Sequence, residues 1–432
     1  MSAISANRMS SGDRFRVSWV WTSRRSIVKG PGCRSTARNE SNEQFAPERL
    51  KLYYVSTNDL TPNTYGGFRA AKVISDTCRR ASNWRRVTDA YIHTRRKALK
   101  LIATAAAFSI VKPVPAETGT TIHTVLGPIL PSSLGFTLPH EHVMVDFVGA
   151  EKTNRGRWNP EEVIARMQPY LLAAKHSGVR GFVDCTPAYV GRDPRILKKL
   201  AQNTGLHILT NTGYYGDAEG RYLPPSANSE TATQIAARWL AEWRFGIDDT
   251  GVRPGFVKIR VDGLAVDRSR MSEMDGKLLA AAAAVTRKTH MAVTCHSPGS
   301  SGLSAALRFA AEGGDPGKFI VAHCDDNGFE LNQRITAAGS WVSIDGIGRK
   351  PEADHLAIVL PLLQKSPDRL LLSMDSGWYN VGEKDGGKIN GFNALTDRFL
   401  PALRAAGVAA AQINHVTIEN PARVFAAAVQ RL

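Results

Sequence analysis

The sequence predicts an α/β protein whose residues 118–432 form a (β/α)₈ barrel, and three observations support this fold class. Short runs rich in β-branched residues alternate with amphipathic helical stretches, which is typical of βα units and a parallel sheet. Eight such runs can be placed in this part of the chain. Side chains able to bind a metal stand at the carboxyl ends of several of them, where barrels of this kind carry their chemistry.

The predicted strands share an apolar, β-branched composition and are bounded by polar or glycine-containing segments. They lie near residues 134–146, 180–186, 207–213, 255–262, 291–297, 318–324, 341–346 and 369–376. Predicted helices between them include residues 160–175, 231–245, 271–288 and 392–405, and residues 420–429 are predicted as a closing helix. Eight strands with intervening helices in roughly 315 residues suit a (β/α)₈ TIM barrel.

The segment before the barrel is predicted to lie outside any packed domain. Residues 1–91 are rich in Ser, Asn, Arg and Thr without a helical or strand period, which indicates disorder or an over-extended N-terminus. Residues 92–116 combine a basic stretch, a short apolar run at 101–111 and small residues before a cleavage point, as a signal peptide does. The paired Arg95 and Arg96 resemble a twin-arginine export signal, which predicts a bacterial periplasmic or secreted protein.

Two other interpretations of the apolar run stay open, namely a buried helix of the fold and a membrane anchor. The run is shorter than the roughly 20 residues that cross a bilayer, so no stable anchor is expected after signal cleavage. Because export machinery reads N-termini, we expect the natural chain to begin just upstream of Thr94, for example at Val87.

The formal net charge of +16 would suggest a nucleic-acid partner if it were spread over the fold. Residues 1–116 hold 21 Lys and Arg against 7 Asp and Glu, which leaves a net charge of only +2 for the rest of the chain. The barrel is therefore nearly neutral and carries no basic stripe. The sequence predicts no nucleic-acid partner.

His140 and His142 lie two residues apart in the first predicted strand, so both imidazoles point to one face, into the barrel. Paired histidines can also be hydrogen-bonded core residues, so the pair alone does not establish a metal site. His296, His323 and Asp375 each end a later predicted strand, where an unpaired polar group would be costly to bury. Their convergence at one rim of the barrel favours a metal site.

Lys258 and Arg260 share one face of the fourth predicted strand. Either could be a solvated or ion-paired residue. A neutral lysine amine could instead take up carbon dioxide, and the resulting carbamate could bridge two metals. Spacing alone leaves the choice between the two residues open.

Nine segments of the barrel together resemble the phosphotriesterase family of the amidohydrolase superfamily, over about residues 121–430. They are residues 135–142, 183–187, 191–194, 212–215, 257–258, 293–296, 322–326, 375–378 and 420–423. The resemblance implies that His140, His142 and Asp375 hold one divalent metal and that His296 and His323 hold the other. It also implies a carbamate on Lys258, rather than Arg260, and a hydroxide that bridges both metals. Zinc is the first candidate, with manganese, iron or cobalt as alternatives.

The catalytic residues follow from the same resemblance. Asp375 is predicted to accept the proton of the nucleophile, and Asp326 is implied to pass it onward. Phosphotriesterases proper carry a histidine where this chain has Gly346, so the relay is predicted to be shortened.

Three aromatic residues are predicted to line the substrate pocket. Tyr215 stands where phosphotriesterase-like lactonases carry a pocket tyrosine, although it could simply pack at a loop root. Trp378 and Tyr379 follow the eighth predicted strand and suggest a partly apolar substrate.

These features predict a binuclear metal-dependent hydrolase whose metal-bridging hydroxide attacks an ester-like bond of a small molecule. A lactone or carboxylic ester is preferred to a phosphotriester, although phosphotriesterase activity of the aryldialkylphosphatase type remains compatible with the site. The alternative is a metal-free barrel that binds a ligand without catalysis. A homodimer is one candidate assembly.

Overall fold

The computed structural model describes residues 119–216, 219–261, 271–297 and 299–428. The predicted disordered segment, the signal peptide and the proposed natural start lie outside these residues. None of the helices in the described ranges is long and apolar enough to span a membrane.

The strands in the described part of the chain are numbered β1 to β13 in chain order. They are Thr120–Thr124, Gly127–Ile129, Thr137–Val145, Gly181–Asp184, His207–Leu209, Asn211–Thr212, Phe256–Arg260, Ala292–His296, Phe319–Ala322, Trp341–Ile344, Leu370–Leu372, Gly377–Asn380 and Ala427–Ala428. All eight predicted strands are present, although most are shorter than predicted and the third is divided into β5 and β6.

The α-helices are numbered α1 to α11 in the same way. They are Pro160–His176, Pro194–Thr204, Ser226–Ser229, Ala232–Phe245, Glu273–Thr289, Ser300–Ala311, Phe329–Ala337, Glu352–Lys365, Leu400–Ala405, Ala410–Asn414 and Asn420–Phe425. Side chains define several helix starts, because Asn159 accepts hydrogen bonds from the first turn of α1 and Thr231 forms a capping box with Gln234 at α4.

Two parallel sheets make up the barrel. Strands β6 to β11 pair in sequence order, and β3, β4 and β5 continue the barrel with β12 on their other edge. The amide of Asp375 donates to the carbonyl of His140 at 3.0 Å and the amide of His142 donates to Ser376 at 2.9 Å, which joins the end of β11 to β3. The predicted (β/α)₈ barrel is confirmed.

One end of the barrel is filled with apolar side chains. Inward residues such as Phe256, Ile320 and Trp341 pack with Ile122 of β1 and Phe425 of α11, and all five are at most 2% exposed. A second, larger cluster lies between the strands and the covering helices. The filled end is opposite the polar strand ends, so the chemistry is confined to the other rim.

The C-terminal part departs from the prediction in two ways. The predicted helix over 392–405 begins with a π-helical segment, Leu395–Phe399, and a second one, His415–Glu419, precedes α11. A proline stands two residues beyond each, at 401 and 421, and its missing N–H removes the hydrogen bond that a regular turn needs. The predicted closing helix ends at Phe425, because the chain then forms β13 and pairs with β1.

Candidate metal centre

The two histidines of β3 point into the barrel and are almost fully buried. Nδ1 of His142 lies 2.9 Å from the hydroxyl of Thr186, and that hydroxyl donates its own proton to the carbonyl of Met144 at 2.9 Å. Thr186 must therefore accept from His142, which places the ring proton on Nδ1. The lone pair of Nε2 is left free for a metal.

Asp345 orients two further imidazoles. It follows β10 and is fully buried, with one oxygen 2.7 Å from Nδ1 of His140 and the other 2.9 Å from Nδ1 of His323. Although burial opposes ionisation, the charges of His323 and His140 hold the pKa of Asp345 well below its ordinary value. One carboxylate thus turns the Nε2 atoms of both histidines toward the centre of the rim.

The two histidines implied for the second metal lie side by side. Nε2 of His323 is 2.7 Å from Nδ1 of His296, and the hydroxyl of Tyr215 is 3.2 Å from the same His296 nitrogen. His323 has a positive φ of 61°, a conformation that costs energy for a residue with a side chain. Such a conformation at a strand end is typical of functional sites.

Lys258 and Arg260 have different surroundings. Lys258 is 1% exposed, and its Nζ lies 3.0 Å from Nε2 of His140. No carboxylate in the described ranges forms an ion pair with it. Arg260 lies nearer the surface, with its guanidinium 5.2 Å from the ring centre of Tyr215. Of the two, the structure brings Lys258 to the predicted ligands.

Burial keeps most of the clustered imidazoles neutral. It lowers the pKa of His140 to about 4, with the charge of Lys258 adding to the effect, and it lowers the pKa of His142 and, further, that of His296. His323 differs, because the charge and hydrogen bond of Asp345 outweigh burial and raise its pKa. Neutral imidazoles are the form that binds a metal.

The donor atoms fit a divalent metal. One ligand atom each from His140, His142 and Asp375 lie within 4.8 Å of one another, whereas the equally close group of His140, His323 and Asp345 is the hydrogen-bonded trio described above. Oδ1 of Asp375 lies 3.0 Å from Nε2 of His142 but makes no hydrogen bond of good geometry, although it is buried. A buried carboxylate oxygen left in this state, among imidazole nitrogens, is explained by a metal.

Two of the predicted site residues are not brought to the cluster. The side chain of Asp326 is 80% exposed and its carboxylate pairs with Lys350. Tyr379 is buried in the core on the opposite side of β12, where its hydroxyl donates to Glu162 of α1 at 2.6 Å. Trp378 does lie beside the site, with its ring 4.8 Å from that of His142. Consecutive strand residues face opposite sides, so only one of this pair can line the pocket.

Glu141 lies between the two histidines in the sequence, and its side chain connects β3 to the segment after β11, where the barrel closes. Its carboxylate accepts hydrogen bonds from the hydroxyl of Ser373 at 2.7 Å and from the amides of Met374 at 3.0 Å and Ser376 at 2.7 Å. Burial raises the pKa of Glu141 to about 8, and these three donors oppose that rise. Glu141 therefore fixes the segment that carries Asp375 relative to the strand that carries the histidines.

An aromatic wall, defined as Phe147, Tyr215, Tyr222 and Trp378, lines one side of the cluster. Ring centres along it are 5.7 Å apart for Phe147 and Trp378, 6.0 Å for Phe147 and Tyr222, and 5.9 Å for Tyr215 and Tyr222. Phe147 and Tyr222 lie on loops and were not predicted, since their positions carry no periodic signal. Asp345, Thr186 and Arg349 were also missed as site residues. The first two lie at the carboxyl ends of the predicted strands 341–346 and 180–186, and that position could have revealed them.

A parallel barrel with imidazoles, a carboxylate and a buried amine at its carboxyl rim defines a metal-dependent hydrolase of the barrel type. The profile of the phosphotriesterase family matches residues 120–425, and the chain belongs to that family. As the sequence predicts, it is a metal-dependent hydrolase that acts on ester bonds.

Curated relatives and solved structures agree with this assignment. The chain is 27% identical over 298 residues to the phosphotriesterase homology protein of Escherichia coli, covering 67% of the chain and 98% of that protein. It is 28% identical over 245 residues to an aryldialkylphosphatase of Saccharolobus solfataricus, covering 56% of the chain and 73% of that protein. A mutant organophosphorus hydrolase of Deinococcus radiodurans superposes with a TM-score of 0.64 at 28% identity, covering 72% of the chain and 98% of that structure. A mutant PTE-like lactonase of the same organism superposes with a TM-score of 0.63 at 29% sequence identity, covering 71% of the chain and 100% of that structure.

Proposed function

We propose that the protein is a binuclear metal hydrolase of lactones or carboxylic esters, with phosphotriesters as secondary substrates. The observation that carries the proposal is the convergence of His140, His142 and Asp375 on one point beside the buried amine of Lys258. A metal-free ligand-binding barrel would have no need to bury this set of donors together.

Each residue of the cluster has a role in holding the metals. His140, His142 and Asp375 would hold one ion, and His296 and His323 would hold the other. When bound, two divalent metals would supply a hydroxide nucleophile at neutral pH and would polarise the oxygen of the scissile bond. Zinc is the first candidate, and the imidazole and carboxylate set also accepts manganese, iron or cobalt.

Lys258 would join the two halves of the centre. Its Nζ is buried and forms no ion pair with a carboxylate in the described ranges, so the amine is available to react beside the histidines. In its deprotonated form the amine could add to carbon dioxide. An N–C bond would form as one C=O π bond breaks, one proton would pass from the nitrogen to solvent, and an anionic carbamate would remain. The carbamate oxygens would be further ligands for the metals, and their negative charge would offset part of the metal charge.

The remaining residues of the site handle the proton and the substrate. Asp375 is the carboxylate that borders both histidine pairs, with one oxygen 3.0 Å from Nε2 of His142 and the other 3.9 Å from Nδ1 of His323. It is therefore placed to accept the proton of the nucleophile. The aromatic wall offers a large apolar surface, which suits an aryl or alkyl group beside the ester bond. The names of the lactonase and aryldialkylphosphatase relatives are compatible with both substrate classes.

Metal analysis combined with a substrate panel tests the proposal. Protein from cells supplied with zinc or manganese and bicarbonate should contain two metals per chain and hydrolyse lactones and aryl esters faster than paraoxon-like triesters. Lys258→Met should lose metal and activity together. Thr294→Val is a matched control. Thr294 lies on β8 directly opposite Lys258 of β7, and its hydroxyl makes no hydrogen bond. Wild-type protein without metal would refute the proposal and leave the ligand-binding barrel.

We also propose that residues 92–116 direct export to the periplasm or medium. The adjacent arginines, the short apolar run and the small residues that follow support this proposal. N-terminal sequencing of the natural precursor and of the mature protein tests it. We expect a precursor that begins near Val87 and a mature chain that begins near Glu117, and a precursor that begins at Met1 would contradict the first expectation.

A further inference from the structure

The loop after β10 places a guanidinium directly on Asp375. Nη2 of Arg349 donates to Oδ2 of Asp375 at 2.7 Å and also to the main-chain carbonyl of the same residue. The Asp375 side chain is 6% exposed, whereas that of Arg349 is 50% exposed. A planar guanidinium that bonds both the carboxylate and the carbonyl of one residue restrains that residue at two points.

Asp375 needs such restraint. Its φ is +48°, a region that residues with side chains adopt at a cost in energy. The indole N–H of Trp378 donates to the same carbonyl at 2.8 Å and adds a further restraint. With Oδ2 on Arg349, the other carboxylate oxygen faces His142 and His140, at 3.0 and 3.8 Å from their Nε2 atoms. Arg349 thus selects which oxygen of Asp375 is presented to the histidines.

Gly346 and Lys350, in the same loop, do not hold Asp375. Gly346 has no side chain, and a β-carbon there would lie 3.0 Å from a carboxylate oxygen of Asp325 that already accepts the Gly346 amide. Lys350, the next cation, pairs with the exposed Asp326 instead. Arg349 is the residue whose side chain turns back to Asp375.

We propose that Arg349 is the positioning residue of Asp375, holding one carboxylate oxygen and the carbonyl so that the other oxygen is set toward the metal ligands. This inference rests on the proposed function. Arginine has no acceptor atom and stays charged, so it orients the carboxylate and does not carry its proton onward. In the metal-free protein the same guanidinium balances the charge of Asp375 until a metal is bound.

The surroundings of Arg349 provide a matched control and a rescue route. A groove of about 660 Å³ runs beside the loop and is lined by both Arg349 and Arg398. Arg398 has almost the same exposure, 53%, but it contacts the carbonyl of Gly348 and the carboxylate of Glu352 and does not reach Asp375. Since the groove is open to solvent, a free guanidinium ion can enter the space left by a truncated Arg349.

The experiment compares Arg349→Met, Arg349→Lys and Arg349→Ala with Arg398→Met, each with and without metal. In the metal-free protein we expect Arg349→Met to lower Tm by about 3–6 °C, the loss expected for one charge-assisted hydrogen bond in a domain of this size. The difference should shrink once zinc is bound, because the metal then balances Asp375. In the metal-loaded protein kcat should fall at least about 10-fold while KM changes less than about threefold, since the oriented proton acceptor acts in the chemical step.

Arg349→Lys should recover part of kcat, and millimolar guanidinium should restore part of the activity of Arg349→Ala. Arg398→Met should match the wild type in Tm, kcat and KM. If Arg349→Met matches Arg398→Met in both the metal-free Tm and kcat while wild type binds two metals, the inference is wrong and the proposed function stands. If wild type binds no metal, the proposed function fails first.

Discussion

Replacing Asp345 by asparagine tests the metal centre at the residue that connects its two halves. Asp345 accepts the Nδ1–H of His140 with one oxygen and that of His323 with the other. Asparagine keeps one acceptor and introduces an N–H₂ group that donates. The Nδ1–H of one imidazole would then face the N–H₂ group of asparagine, which is also a donor. That imidazole will turn away or change its tautomer.

The size of the effect follows from the bond that is lost. A hydrogen bond to a charged group contributes about 1.5–3 kcal/mol, and Asp345→Asn removes one of two. If that free energy appears as weaker metal binding, it corresponds to roughly 10- to 100-fold in the dissociation constant, the range seen when partners of metal-bound histidines are removed.

Competition with a chromophoric chelator measures this change directly. Zinc is titrated into a mixture of protein and chelator, and the occupancy of the protein gives both dissociation constants. Asp193→Asn is the control, because Asp193 is equally a buried aspartate but caps α2 and accepts from Trp158 and Arg195. It should cost folding stability without changing metal affinity. If Asp345→Asn binds two metals with dissociation constants within twofold of the wild-type values, Asp345 does not orient these histidines for metal binding.

Three other predictions follow from the described contacts. Glu141→Gln should lower the unfolding free energy of the metal-free protein by about 2–4 kcal/mol in urea titrations, because the amide N–H₂ would face one of the N–H donors that now bond the carboxylate; a change below 0.5 kcal/mol would contradict the role of Glu141 in barrel closure. Asp326→Asn should change kcat less than about threefold, since this carboxylate is exposed and pairs with Lys350; a loss above about 10-fold would show that Asp326 takes part in proton transfer after all. Burial lowers the pKa of Lys318 to about 8, below its unfolded value of about 10.4, so the folded chain binds fewer protons between these values and Lys318 makes stability rise with pH over that window. Lys318→Met should remove this rise when unfolding is compared at pH 8 and 10, and an unchanged slope would mean that the amine titrates normally.

The fold could be predicted because its signal is local and repeated. Alternating apolar runs and amphipathic segments located all eight barrel strands and four of the helices between them, since each element must present an apolar face to the core. The β1–β2 hairpin, β12 and β13 were missed, because these short strands stand outside the repeated alternation of strand and helix. The π-helical segments arise from Pro401 and Pro421, but a proline by itself does not show whether a helix will widen or stop.

The candidate site divides in a similar way. Strand alternation and strand ends could place His140, His142, His296 and His323, whereas the choice of Lys258 over Arg260 came only from the family resemblance. The structure brings all five together. Asp326 and Tyr379 were assigned to the site and are not found there, the first because its exposed side chain pairs with Lys350 and the second because β12 turns its ring into the core. The position of Asp326 depends on how the chain leaves β9, and that of Tyr379 depends on whether residues 377–380 form a strand; neither is shown by a local pattern.

The sequence by itself determined the barrel, the rim that carries the chemistry and the kinds of ligand atom available there, since these follow from the periodicity and from the residue types at strand ends. Only the tertiary structure decided which groups orient the ligands. Asp345 reaches histidines on two other strands, Glu141 holds the segment that leads to Asp375, and Arg349 reaches Asp375 from a loop 26 residues earlier in the chain. Such contacts arise from closure of the sheet, and closure brings together residues whose separation in sequence carries no information about their distance.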